Sequence, residues 1–218
     1  MRIYLKLTTN KQPVPFEYNA VLAGVFHKWV SDAQIHDSLS LYSFSGLRCG
    51  SANKSNLSFP KGGEWFISVY DSNLLMRIVK QIQISPEVAY GMIVQEVIDF
   101  ENPVFKSKEK FMLATPIFIK RMIDKKYVHY LFSDDKSDLF MTETMKKKLN
   151  AAGMVDDSLK ISFDKSYERR KVKLVSYKGI KNKVNWCPVI ISGTPETIAF
   201  AWNVGIGNST GIGFGALI

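Results

Sequence analysis

The chain has 218 residues, 46% of them hydrophobic and 12% aromatic, which is enough for one large packed core or two of about 100 residues each and excludes a disordered protein. Lys and Arg outnumber Asp and Glu 29 to 20, for a formal charge of +9, and such an excess favours a polyanionic partner, nucleic acid ahead of an anionic membrane. Every apolar run falls short of the roughly 20 residues that span a bilayer, and the opening MRIYLKLTTN lacks the apolar core of a signal peptide, so a cytoplasmic protein without membrane attachment is expected.

In chain order, residues 3–8 alternate with the period of a half-buried strand. After Pro13 and Pro15, Tyr18, Val21, Leu22, Val25, Phe26, Trp29 and Val30 recur on one helical face. Residues 39–47 and 64–70 suit strands and the polar stretch between them a loop; a helix capped by Asp71 or Ser72 and a strand at 91–98 follow. The order β, α, β, β, α, β predicts a ferredoxin-like domain over 1–100. The polar, Pro103-broken segment 101–110 is expected to connect it to a second domain over 111–218.

That second half begins with a strand interrupted by Pro116 and continues through a strand at 127–132 and a helix over 134–152. Lys146, Lys147 and Lys148 are expected to favour termination of this helix, followed by Gly153. Strands at 158–163, 171–177 and 184–192 precede a short helix opened by Thr194 and Pro195 and ending near Gly205. The fold class expected is α+β, two tandem ferredoxin-like (RRM-like) βαββαβ domains, the second carrying an extra hairpin.

Cys49 and Cys187 stand outside any CxxC pair or His/Cys cluster, so neither a metal site nor another cofactor is expected. The C-terminus places Gly205, Gly207, Gly211, Gly213 and Gly215 within eleven residues. Such density fits either a tight turn or backbone amides facing a phosphate. A dinucleotide fingerprint is excluded by context, because only three residues follow Gly215 and no βαβ unit has room there.

Gly205, Ile206, Gly207, five residues, then Gly213, Phe214, Gly215 resembles the C-terminal signature of the repeat-associated CRISPR proteins. The opening MRIYLKL, a proline and the helix FEYNAVLAGVFHKWV resemble the repeat-processing endoribonucleases of that group, the Cas-six family of the RAMP superfamily. The resemblance implies metal-independent cleavage of a CRISPR repeat transcript into guide RNAs by 2′-hydroxyl attack, leaving a cyclic phosphate and a 5′-hydroxyl. It also implies that His36, just after the first helix, is the catalytic histidine.

His27 lies opposite the apolar stripe of the first helix, on a strip shared with Ala20, Gly24 and Ser31. That strip fits a bound backbone or close packing of another protein segment. In some members of the family a tyrosine stands near this position, and a lysine often follows the catalytic histidine where this chain has Ser38 and Ser40. The phosphate's charge must then be met elsewhere, with Tyr42, Arg48 and Lys54 the nearest candidates. His129, among aromatic residues of an alternating segment, reads as a structural strand residue.

Residues 160–183 hold nine basic side chains against Asp164 and Glu168, interleaved with Tyr167 and Tyr177. Lys165, Arg169, Arg170, Lys171 and Lys173, with the C-terminal glycines, are the candidate RNA contacts, since cations hold phosphates while aromatics stack bases. The partner expected is CRISPR repeat RNA, with other CRISPR effector subunits and a homodimer compatible. The alternative reading is a non-catalytic RNA-binding subunit of a CRISPR ribonucleoprotein.

Overall fold

A computed structural model describes residues 1–31 and 39–218. The first half runs β1 (Arg2–Leu7), β2 (Val14–Pro15), α1 (Asn19–Val30), β3 (Tyr42–Phe44), β4 (Ser51–Ala52), β5 (Asn56–Ser58), β6 (Gly63–Val69), α2 (Ser72–Ile84) and β7 (Val94–Phe100). Its main sheet has the order β3-β6-β1-β7, all neighbours antiparallel, while β2, β4 and β5 form a small separate sheet. Asp71 caps α2 by accepting from the Asn73 N–H at 2.9 Å.

The second half runs β8 (Lys108–Phe111), β9 (Lys120–Ile123), β10 (Lys126–His129), α3 (Ser137–Ala151), β11 (Lys160–Phe163), β12 (Lys171–Tyr177), β13 (Ile180–Trp186), β14 (Val189–Ser192) and α4 (Pro195–Val204). A 3-10 turn (Thr210–Ile212) follows. Its sheet has the order β11-β14-β8, and the chain end supplies the fourth place: Met112 N–H donates to Ile218 O, Ile218 N–H returns a bond to Met112 O, and Ala114 N–H reaches Ala216 O. Thus β8, α3, β11, β14, α4 and the C-terminal segment repeat the βαββαβ order of the first half, confirming the tandem ferredoxin-like fold.

Three details depart from the sequence reading. The charged segment 101–110 already enters a strand at Lys108, because a sheet strand is held by its backbone, and Lys110 finds an ionic partner in Asp164 at 2.5 Å. The stretch 184–192 is two strands broken at Cys187 and Pro188. Two hairpins are inserted where one was expected: β9–β10 between β8 and α3, and β12–β13 between β11 and β14. Both turn through consecutive positive-φ residues, Asp124 and Lys125 in one, Lys178 and Gly179 in the other, the backbone that matches strand twist in two-residue hairpins.

Each half has its own core. Ile3, Leu5, Phe26, Trp29, Trp65 and Ile67 belong to one, and Met141, Leu149, Ile161, Ile191, Ile198 and Val204 to the other. The opposite face of the first sheet, carrying Arg2, Ser43, Phe66 and Ser68, is covered by α4 and the chain end. There the fully buried Arg2 guanidinium lies between the Trp202 ring at 3.4 Å and the Phe66 ring at 4.0 Å. It donates to Ser68 Oγ at 2.6 Å, Leu217 O at 2.9 Å and Trp202 O at 3.2 Å. Ser43 Oγ donates to Asn203 O, and the amino terminus to Asn203 Oδ1, so the same interface is stitched at three points.

Candidate functional site

The halves also meet beside α1. The apolar stripe of this helix buries Leu22, Ala23, Phe26, Trp29 and Val30, while Val21, expected on that stripe, is exposed. His27 is half-buried and Gly24 exposed, with no atom of the other described residues within 4 Å of where a Gly24 methyl group would sit. From α1 the His27 ring reaches the Tyr42 ring of β3 edge-on, centroids 6.4 Å apart, and Tyr42 stacks on Phe26 at 4.5 Å. Burial pushes the Tyr42 phenol above its ordinary pKa, against a hydrogen bond to the Ser40 side chain that lowers it.

The glycine-rich loop closes over this junction. Gly211 approaches so closely that a methyl group there would meet Ser40 Oγ and lie 2.8 Å from the Tyr42 hydroxyl. Two other glycines are fixed by the protein itself. Gly207 has φ +81 and its missing methyl would stand 2.5 Å from Phe118 O, and Gly215 has φ +68 with its methyl position overlapping Ile206 O. Gly205, Gly207, Gly211, Gly213 and Gly215 are all buried, so the space their missing side chains leave is used first to interlock the loop with both halves.

Behind the loop stands Lys148. Rather than completing the charged last turn of its own helix, it falls in register with Met141, Met145 and Leu149 on the buried face of α3. Its Nζ donates to Val204 O at 2.9 Å, Gly205 O at 3.3 Å and Thr210 Oγ1 at 2.9 Å, a cation at the C-terminal end of α4. Complete burial lowers its pKa to about 7.

The other sequence candidates separate. Arg48 pairs with Glu64 at 3.3 Å, five residues along β6 from Val69, the partner of Tyr42, hence roughly 16 Å away along the strand. Lys54 is exposed on the turn between β4 and β5. His36 lies outside the described residues. Lys165, Arg169, Arg170 and Lys171 are exposed, and Lys173 is half-buried with its Nζ 4.1 Å from the Trp186 ring centroid. Register places Lys171 and Lys173 on one face of the β12–β13 hairpin and Lys181 and Lys183 on the other, so the basic stretch does not form a single face.

The sequence reading gave no role in a site to Lys120, Tyr127 or Asn182. Together with His129 they line a cleft between the two hairpins. The signal available was the alternation that puts Tyr127 and His129 on one side of a strand. Cys187 is buried, and burial pushes its thiol up to about 11. Among the described residues, no group of three or more His, Cys, Asp or Glu could hold a metal ion, and no helix is long and apolar enough to cross a membrane.

No curated protein matches the sequence. Solved structures do match the fold across the whole chain. A CRISPR associated protein Cas6 superposes with a TM-score of 0.85 at 19% identity, covering 100% of this chain and 98% of the other. The product of a Cas6-related gene from Pyrococcus furiosus gives 0.85 at 20% identity, covering 100% and 97%. A RAMP protein described as binding different RNA substrates gives 0.85 at 20%, covering 100% and 99%. The family described as CRISPR associated protein Cas6, C-terminal, matches residues 100–217, more than half of the chain and inclusive of the glycine-rich loop. This chain belongs to the Cas6 family of CRISPR-associated proteins.

Proposed function

We propose that this protein binds CRISPR repeat RNA and cuts it without a metal ion. The observation that carries the proposal is the meeting of His27 and Tyr42 under the glycine-rich loop, in a chain of the Cas6 family. A base takes the proton of the ribose 2′-hydroxyl as O2′ bonds to phosphorus. The bond from phosphorus to O5′ breaks, and an acid returns a proton to the leaving oxygen, giving a 2′,3′-cyclic phosphate and a 5′-hydroxyl. His27, half-buried on α1, moves one of these protons, and the half-buried Ser40, hydrogen-bonded to the buried Tyr42 phenol, carries a hydroxyl that can donate to phosphate. His36, assigned by resemblance, shares the proton work. RNA binding is supported by the net charge of +9 and by the exposed Lys165, Arg169, Arg170 and Lys171.

The test is incubation with the repeat RNA of the protein's own host in EDTA, followed by mapping of the ends. Replacing His27 or His36 with alanine is expected to lower cleavage by about 10² to 10⁴ while leaving RNA affinity nearly unchanged, since proton transfer matters in the transition state. A repeat with 2′-deoxyribose just upstream of the cut should bind and resist. Normal cleavage of that deoxy substrate, or a requirement for magnesium, would overturn the mechanism. One observation favours a second reading, a non-catalytic RNA-binding subunit: Ser40 and the glycine loop, rather than a lysine, abut Tyr42. Wild-type protein that binds the repeat and never cuts it would establish that reading instead.

A further inference from the structure

Beside the glycine-rich loop, a cleft of about 240 Å³ opens between the two inserted hairpins. Phe118, Lys120, Tyr127 and His129 line it from the first hairpin and its approach, and Tyr177, Ile180 and Asn182 from the second. Ser209, Ile212 and Phe214 of the loop close its third side. Phe118, Phe214 and Val184 form a small apolar cluster of their own at this place, so part of the lining is fixed by packing rather than by solvent-facing loops.

The polar groups are few and oriented. The His129 Nδ1 accepts the Lys183 backbone N–H at 3.3 Å, which fixes its proton on Nε2 and makes that edge a donor. Burial, then the neighbouring Lys120 and Lys183, lower its pKa, which favours the neutral ring. Asn182 spends its amide nitrogen on Ile180 O at 3.0 Å and Val175 O at 3.5 Å, leaving the amide oxygen as the acceptor it can offer. Lys120 places its ammonium 4.7 Å from the Tyr127 ring centroid, a cation at the mouth of an aromatic cleft.

Two aromatic side walls, one donor, one acceptor and one cation are what a single unstacked nucleobase with its phosphate requires. The volume sets the size of the ligand: it lies below the roughly 300 to 1,000 Å³ of pockets for drug-sized molecules, so it suits one ring system and not a paired stem. Position adds direction. Tyr177 lines the cleft and is close enough to influence the Tyr42 phenol, while Ser209 and Ile212 of the cleft flank Gly211, which touches Tyr42.

We infer that this cleft captures one base of the bound RNA, a single-stranded nucleotide near the scissile phosphate, and thereby sets which base the protein accepts at that position. The inference rests on the RNA-binding reading above and supplies the base contact that phosphate-holding lysines cannot give.

The experiment is a walk of one abasic ribose through a fluorescein-labelled repeat RNA from the protein's own host, with affinity read by anisotropy for wild type, Tyr127→Ala and Tyr127→Phe. Tyr127 is 60% exposed, so neither variant threatens the fold. Loss of the captured base is expected to weaken wild-type binding about 5- to 100-fold at one position, to leave Tyr127→Ala nearly unaffected at that position, and to weaken Tyr127→Phe as it does wild type. RNA binding by wild type with no position at which the abasic effect depends on Tyr127 overturns the base-capture inference alone. Absence of any RNA binding by wild type overturns the reading on which it rests.

Discussion

The two halves of this protein share one sheet order and differ in what interrupts it. The first half spends its connections on the small β2-β5-β4 sheet beside its main sheet and keeps its helices α1 and α2 on one core. The second half inserts two hairpins and places a buried glycine-rich loop before the chain end that completes its sheet; these three additions line one cleft, and the loop reaches the edge of the first half at Tyr42. The repeated unit supplies a rigid frame; the candidate chemistry gathers where the insertions of one copy reach the plain surface of the other. The lesson is that fold repetition and functional asymmetry come from different parts of the sequence.

The largest effect should come from breaking the asymmetry at its glycines. Gly215→Ala forces a side chain onto a left-handed backbone and against the Ile206 carbonyl, and a loss of about 3 to 5 kcal/mol of stability is expected. Gly24→Ala, on the exposed face of α1 with no described residue within 4 Å of the added methyl, is expected to raise stability by about 0.5 to 1 kcal/mol, the ordinary gain of alanine over glycine in a helix. Chemical denaturation of both variants checks the contrast. Equal small effects would mean that the loop yields without cost and is no interlock.

How much of this was legible in the sequence follows from distance along the chain. The alternation in β1, the α1 stripe apart from the exposed Val21, and the Thr194 cap with Pro195 at the start of α4 are local patterns, and each appears where it was read. The tasks of Arg2 and Lys148 were not legible. Arg2 bonds to residues 200 and 215 positions away, and Lys148 reaches 56 to 62 positions to the end of another helix. A KKK run read as favouring the end of its own helix therefore hid a buried lysine. His129 does stand in a strand, as expected, but the cleft it lines exists only once two hairpins from separate parts of the chain are side by side.

Lys148 also offers a middle-sized test, by pH. Its buried amine titrates near 7 while the unfolded lysine titrates at 10.5, so between these values the unfolded chain binds more protons and stability must rise with pH. The amino terminus, lowered from 8.0 to about 6, contributes the same sign between those values, and Cys187, raised from 9.0 to about 11, opposes it above 9. Between pH 8 and 9 Lys148 should dominate, with a rise of at most about 1.4 kcal/mol. Urea midpoints at pH 8 and 9 should separate for wild type and coincide for Lys148→Met. A slope that survives the substitution would assign the proton uptake to another group.

The smallest expected effect distinguishes the cations of the two halves. Lys165 and Arg169 are exposed in the second half, free to meet phosphate, whereas Arg48 of the first half already faces Glu64 at 3.3 Å. A cation that neutralises an RNA phosphate releases condensed counterion, and each such contact adds about 0.7 to the slope of log affinity against log salt for single strands. Lys165→Ala and Arg169→Ala, made singly, should each flatten the slope by about that amount, which between 0.1 and 0.3 M salt is about a twofold change in relative affinity. Arg48→Ala should leave the slope as it is, because removing a side chain held by a carboxylate takes no cation away from the RNA. Titrations of the repeat RNA at several salt concentrations decide this: a flattened slope for Arg48→Ala with unchanged slopes for the other two would move the RNA path off the connection between β11 and β12 and onto the edge of the first sheet.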